Sequence, residues 1–145
     1  MTFTDLANKL RKLNVELAAE GSRIAVEVAL VIVDDLTEVT PVDTSKAESN
    51  WQVSLGSPVT KEIEAHVPGH FGWTAVESRI VARANARKAL QNKKPGVSIF
   101  IGNAADYIQD LNEGSSKQEP AGFVERAELK GRLTLKASRV KMGLK

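Results

Sequence analysis

The feature that most constrains this chain's fold is an apolar pattern at helical spacing, which runs through residues 4–39 without a proline. Its members follow one another at three-, four- or seven-residue intervals and therefore share one face of a helix. They are Leu6, Leu10, Leu13, Leu17, Ile24, Val28 and Val31. The sequence predicts one long helix over about residues 4–39, with a bend at Gly21–Ser22 as an option.

The ends of this helix have recognisable signals. Thr4 suits the N-cap position, and Asp5 suits the positive end of the helix dipole. Pro41 ends the helix because it disfavours helical geometry at Thr40. β-Branched residues are dense at residues 24–33, so a strand is the alternative there. The lack of tight turn signals around that run favours a helix, and its length is about half that of a bilayer span. We therefore predict a buried element and no membrane association.

The remainder of the chain mixes strand and helix patterns. Apolar and polar residues alternate over Trp51–Leu55 and over Ile63–Val67, which predicts two strands, and Val97–Ile101 predicts a third. Helical spacing returns between Trp73 and Gln91. The predicted fold class is α+β, with a long N-terminal helix, a small antiparallel or mixed sheet and further helices.

Two more helices are predicted near the C-terminus. Asn103 suits the cap of a helix that runs through Asp110, and Gly114 suits its stop. Pro120 suits the first turn of a last, basic helix over about residues 121–141. A length of 145 residues is typical of one domain. We predict a single structural domain over residues 1–145, with the long helix at about 4–39 and the sheet and other helices at about 49–141.

Charge is unevenly distributed although the net charge is only +2. Residues 1–40 contain seven acidic and four basic residues, whereas residues 126–145 contain seven basic residues and one acidic residue. Such asymmetry suggests that the acidic end meets the basic end of another copy, or that the basic end lies near nucleic acid.

A row of arginines forms the clearest basic feature. Arg79, Arg83 and Arg87 follow each other at four-residue intervals and share a face of the predicted helix. A solvated helix face is the favoured interpretation. The alternative is a stripe that contacts phosphates without base specificity. No aromatic residues are interleaved with the basic ones, which argues against a stacking groove for single strands.

Residues suited to catalysis or metal binding are few. The absence of cysteine excludes disulfides and thiolate sites. Glu62, Glu64, His66 and His70 are the one cluster of metal-ligand types, but the Pro68–Gly69 pair prevents the two histidines from sharing a helix. A solvated strand face is the favoured interpretation. Neither a nucleophile elbow nor a phosphate-binding glycine loop is present. We therefore predict no enzyme activity, no metal and no cofactor.

Two segments resemble the signatures of a known family. Residues 40–44, TPVDT, followed by SNW at residues 49–51, resemble the TPVDTG…SW signature of the phage tail-component family, which includes neck and tail-completion proteins. Residues 103–123, NAADYIQDLNEGSSKQEPAGF, resemble its second signature, in which a tyrosine-containing helix leads into an acidic Gly-Ser loop. The order and spacing agree, and the motifs with their flanking helices span most of the chain.

The chain departs from the family pattern at two places. Ser45 stands where the family commonly has glycine, and if that position needs a positive φ, serine costs about 1 kcal/mol there. Lys46 and Ala47 replace a frequent Arg-Leu pair.

The resemblance implies a virion structural protein of a tailed bacteriophage. Such a protein would form a ring with copies of itself, as a hexamer or a dodecamer, between the portal and the other neck and tail proteins. It would be located in the virion, and in the host cytoplasm during assembly. Genome DNA would pass through the ring with transient, non-specific contacts, and Arg79, Arg83 and Arg87 would be candidates for the channel wall.

The motif residues would shape the fold or the subunit contacts. They are Pro41, Asp43, Thr44, Trp51, Tyr107, Gly114 and Pro120. The alternative function is a small basic nucleic-acid-binding protein that uses the three arginines and the C-terminal helix.

Overall fold

The computed structural model describes residues 1–143 and has the α+β fold that the sequence predicts. Lys145, the last residue of the basic end, lies outside the described residues. The described elements, in chain order, are α1 Phe3–Val39, α2 Lys46–Ser49, β1 Trp51–Leu55, α3 Ala75–Leu90, β2 Ile99–Asn103, α4 Ile108–Asn112 and α5 Phe123–Lys141.

The N-cap of the long helix α1 lies two residues earlier than predicted. Thr2, and not Thr4, is the N-cap: its hydroxyl accepts a hydrogen bond from Asp5 N at 3.1 Å, and Thr2 N donates to Asp5 Oδ2 at 2.9 Å. This reciprocal capping box satisfies two amide donors at once. The helix then continues without interruption to Val39, so the strand alternative for residues 24–33 is wrong.

The sheet has two antiparallel strands. β1 pairs with β2 from Trp51 opposite Asn103 to Leu55 opposite Ile99. β2 therefore begins two residues later than the predicted strand at Val97.

The strand predicted at Ile63–Val67 does not form, and these residues are irregular in the structure. Side chains from β1 and from the residue before it bind the backbone of this part of the chain instead. Asn50 accepts from Ile63 N at 2.8 Å and donates to Ile63 O at 2.7 Å, and Gln52 donates to Lys61 O at 2.9 Å. These amide side chains take the backbone groups that a strand ladder would otherwise pair.

Helix α3 buries mainly small residues along its length and exposes large ones near its start. The apolar spacing that predicts this helix includes Trp73, Val76 and Ile80, yet these residues are 79%, 61% and 62% exposed. The buried face carries Ser78, Ala82, Ala86 and Leu90. Small residues allow the helix backbone to approach its neighbours closely.

The boundaries of the last two helices also differ from the prediction. Asn103 does not cap a helix; it ends β2, donates to Ala47 O at 2.7 Å and accepts from Ala105 N at 3.0 Å. α4 begins after Tyr107. Pro120 lies before α5 and outside its first turn, because Gly122, with φ of 84°, is the cap residue.

The stop at Gly114 is confirmed. Gly114 has φ of 99°, its N–H donates to Leu111 O at 3.1 Å, and Ser115 N donates to Asp110 O at 3.1 Å. These two bonds are the Schellman pattern, for which glycine is favoured at the left-handed position.

The core lies where α1, α5 and β1 meet. Leu36, Trp51, Phe123 and Ala127 form its buried cluster. α5 approaches α1 closely at Gly131, where a Cβ would lie 2.5 Å from Ile32 Cδ1.

The basic helix α5 therefore meets the acidic helix α1 within one chain. Lys130 pairs with Asp35, although Lys130 itself remains largely exposed. In the part of the chain that the structure describes, no helix is long and apolar enough to cross a membrane.

Candidate functional site

The two segments that carry the family resemblance lie side by side. They line a cleft of about 390 Å³, with residues 41–47 on one wall and Tyr107, Leu111, Ser116 and Gln118 on the other. Of the predicted motif residues, the cleft brings together Pro41, Asp43, Thr44 and Tyr107.

Gln118 fastens the two segments together. Its Oε1 accepts from Val42 N at 2.9 Å, and its Nε2 donates to Val42 O at 3.1 Å. Both backbone groups of one residue are thus satisfied by one side-chain amide, as a neighbouring strand would satisfy them. Sequence reasoning includes Gln118 in the second segment but assigns it no role, because nothing local shows which backbone lies opposite.

The other motif residues lie outside the cleft. Trp51 is buried at the start of β1 and donates from Nε1 to Thr40 Oγ1 at 2.7 Å, which ties β1 to the end of α1. Gly114 and Pro120 lie in the loop between α4 and α5, and Pro120 O accepts a hydrogen bond from Arg126 at 3.1 Å. All three hold elements in place.

Asp43 orients a neighbouring loop and does not cap α2. Its Oδ1 accepts from Phe71 N at 2.8 Å, and its carbonyl accepts from Gly72 N at 2.8 Å. The N-cap position of α2 belongs to Ser45, whose side chain forms no cap hydrogen bond.

Ser45 has a left-handed backbone conformation, in which glycine is favoured over residues that carry a Cβ. Its φ is 67°, and the residue is 1% exposed. The Ser45 hydroxyl lies 3.0 Å from Thr74 Oγ1. This hydrogen bond offsets part of the conformational cost that a Cβ brings at positive φ.

The loop that Asp43 holds and the first turns of α3 expose four large apolar side chains, Phe71, Trp73, Val76 and Ile80, which we call the aromatic patch. Phe71 and Trp73 are each 79% exposed, and their ring centroids are 5.7 Å apart. Phe71 has φ of 56°, which is costly for a bulky residue and needs support from its surroundings. Sequence reasoning missed the patch, although two aromatics beside Gly72 in a chain with few aromatics were a usable signal.

The three arginines of α3 face acidic residues within the chain. Arg79 is the most enclosed: its Nε lies 3.0 Å from Glu48 Oε1, and its Nη1 lies 2.9 Å from Glu38 Oε2. Glu48 is fully buried, and its Oε2 has no hydrogen-bond partner in residues 1–143. Burial raises the pKa of the Glu48 carboxyl above its usual range, and Arg79 acts in the opposite direction.

Arg83 joins α3 to the last turns of α1. It donates to Thr37 Oγ1, Asp34 O and Glu38 Oε2 at distances of 2.8, 2.8 and 3.0 Å. Arg87 lies 3.7 Å from Asp34 Oδ2. A solvated face is therefore wrong for Arg79 and Arg83, whose side chains are 20% and 26% exposed. The role of the row in a DNA channel stays a prediction.

The candidate metal residues are not gathered into a site. Residues 1–143 contain no group of three or more histidine, aspartate or glutamate side chains that could hold a metal ion. Glu62 pairs with Lys46, and His66 donates its backbone N–H to Ser49 Oγ at 3.0 Å. Burial lowers the pKa of His66, so its imidazole favours the neutral form.

Comparison of the chain with protein-family models, with curated proteins and with solved structures gave no match. The family resemblance thus stays a prediction based on the two segments. The cleft that these segments share is a separate, geometric observation.

Proposed function

We propose that the chain is a structural protein of a tailed-bacteriophage virion, of the neck or tail-completion type, which forms a ring with copies of itself at the head–tail junction. The observation that carries this proposal is the contact between Gln118 and Val42. It joins two segments that are 76 residues apart in the chain and that separately resemble the signatures of one family. From this contact we infer a shared structural role for the two segments.

The aromatic patch is the surface that we assign to contact between copies in the ring. Exposed aromatic side chains are unfavourable on an isolated subunit and are enriched in protein–protein interfaces. The first motif supports the patch directly, because Asp43 binds Phe71 N and Gly72 N. In this proposal the motif fixes the loop, and the loop contacts the next subunit. The work of the protein is assembly and sealing, without a catalytic step.

The nucleic-acid-binding alternative has weaker support. Binding to nucleic-acid phosphates needs arginines that are available to neutralise the phosphates and release their counterions. Arg79 and Arg83 instead have acidic partners inside the chain. Such pairs have to be broken before the same guanidinium groups can contact a phosphate.

The test combines particle content with assembly state. We expect the chain to be present in purified virions and the isolated protein to form a ring, as measured by native mass spectrometry. The double variant Phe71→Ser/Trp73→Ser is expected to remain folded and to lose the ring. Val140→Ser, which changes a residue that is 67% exposed on α5, is the matched control and should keep it. A strictly monomeric protein that is absent from virions would overturn the proposal.

A further inference from the structure

The N-terminal part of α1 carries an apolar stripe that nothing in the described fold covers. The stripe alternates three- and four-residue steps, which is the a/d spacing of a heptad repeat. Its residues are Phe3, Leu6, Leu10, Leu13 and Leu17, and they are 93%, 44%, 57%, 50% and 50% exposed. Helices with such a seam gain stability when a second helix packs against it.

We propose that this stripe pairs with the same stripe of a second copy, in antiparallel orientation. Successive leucines of the stripe are four, three and four residues apart. This order of intervals is the same whether the helix is read from its N-terminus or from its C-terminus. An antiparallel pair places Leu6 opposite the partner's Leu17, and Leu10 opposite the partner's Leu13. Four layers of leucine result, and each leucine has a leucine opposite.

Charges beside the stripe select the antiparallel orientation. Lys9 and Glu16 occupy successive g positions of the heptads, on the same flank of the seam. In an antiparallel pair g positions face g positions, so Lys9 of each copy meets the partner's Glu16, twice by symmetry. A parallel pair places Lys9 opposite Asn14 and Glu16 opposite Gly21 and forms no ion pair. Among residues 1–143, neither Lys9 nor Glu16 has an ion pair within its own chain.

A groove on the body of the chain suits the end of the partner helix. Its volume is about 850 Å³, and its apolar walls include Leu17, Ile24 and Leu135. In the same register the partner's Phe3 lies opposite Glu20, which is next to Gly21. A Cβ added at Gly21 would meet nothing within 4 Å, so there is open space at this point. The capping box of Thr2 and Asp5 keeps Phe3 helical and so holds this side chain in position. Phe3 of each copy thus enters the groove of the other.

This pairing goes beyond the proposed function and does not rest on it. A two-fold contact joins a surface to itself and closes after two copies, so it cannot propagate a ring. It uses a surface separate from the aromatic patch. Loss of the pairing and loss of the ring are therefore distinguishable, because each follows a different set of substitutions.

Cross-linking tests the orientation, and the absence of native cysteine keeps the background clean. The variants Lys9→Cys and Glu16→Cys are mixed and treated with a short bis-maleimide. We expect a mixed adduct between the two variants. A mixture of Lys9→Cys with Asn14→Cys is the matched control and should give little adduct. Adduct in the control mixture alone means a parallel pair, and no adduct in either mixture means no pair; both results would overturn the proposal.

Charge reversal tests the flanking ion pairs in solution. Lys9→Glu replaces two attractive contacts by two repulsive ones, and we expect dimerisation measured by analytical ultracentrifugation to weaken about tenfold. The double variant Lys9→Glu/Glu16→Lys should restore it. Lys12→Glu, on a flank away from the seam, is the control and should leave it unchanged. Circular dichroism verifies that each variant keeps its helix. Equal weakening by Lys9→Glu and Lys12→Glu, or no rescue by the double variant, would contradict the proposed register.

Discussion

Both halves of α1 carry apolar residues at helical spacing, but the two halves have different surroundings. In the C-terminal half, Ile24, Val33 and Leu36 are 6%, 0% and 2% exposed, whereas Leu10 and Leu13 in the N-terminal half are 57% and 50% exposed. The cause is length. α1 has 37 residues and α5 has 19, so at a rise of about 1.5 Å per residue α5 covers roughly half of α1. Spacing specifies the helix, and the reach of the other elements specifies which part is buried.

Matched leucine truncations give the largest expected difference between the halves. Leu36→Ala removes a side chain from the core cluster, and we expect the free energy of unfolding to fall by about 2–5 kcal/mol. Leu13→Ala changes an exposed helix position and is expected to alter it by less than about 0.5 kcal/mol in the monomer. Urea denaturation at low micromolar protein measures both. Similar losses for the two variants would mean that the N-terminal half is buried in the monomer fold.

Two glycines sharpen the same comparison with effects of opposite sign. In Gly131→Ala the new Cβ would meet Ile32 Cγ1 at 2.6 Å, so we expect a net loss of about 1 kcal/mol after the gain in helix propensity is included. In Gly21→Ala the methyl group enters open space, and we expect a gain of about 0.5–1 kcal/mol.

Thermal unfolding by calorimetry at low protein concentration measures both glycine variants. The sign of the change is the decisive observation. A stabilising Gly131→Ala would show that α5 does not pack tightly against α1 at this point.

The sequence predicts the elements of this fold better than their contacts. Local signals are sufficient for α1 and for the stop at Gly114, because helical spacing and a left-handed glycine act within a few residues. The strand at Ile63–Val67 does not form because side chains take its backbone groups: Asn50 binds both groups of Ile63, and Ser78 binds both groups of Val67. No local pattern shows that these side chains lie opposite the segment.

The candidate site shows the same limit. The motif residues are visible in the sequence, but the bond between Gln118 and Val42 is a tertiary contact. The row of arginines also looks the same in sequence whether it faces water, phosphate or carboxylates. Only the position of α3 beside α1 decides that Arg83 contacts Thr37 and Asp34.

The smallest effects concern pH, and they too separate the two halves of α1. Glu48 contacts the packed half through Arg79, which also binds Glu38, and burial raises the pKa of the Glu48 carboxyl above 4.5. Glu20 lies in the projecting half, and its hydrogen bond with Arg23 lowers the pKa of the Glu20 carboxyl below 4.5. The two carboxyls therefore contribute to the pH dependence of stability with opposite signs.

For Glu48, the folded state holds its proton more tightly than the unfolded state, so its contribution to stability is lost as pH rises from about 4.5 through the raised pKa. Glu48→Gln is thus expected to become more stable relative to the wild type as pH rises from 4 to 7.

For Glu20, the contribution to stability is present above the pKa of the unfolded state and is lost as pH falls through the lowered pKa of the folded state. Glu20→Gln is thus expected to become less stable relative to the wild type as pH rises through the interval just below 4.5, and to change little relative to it at higher pH. Urea denaturation at intervals of half a pH unit measures both differences. Two curves that change in the same direction would mean that Glu48 is not enclosed beside α1 and that this contrast between the halves is wrong.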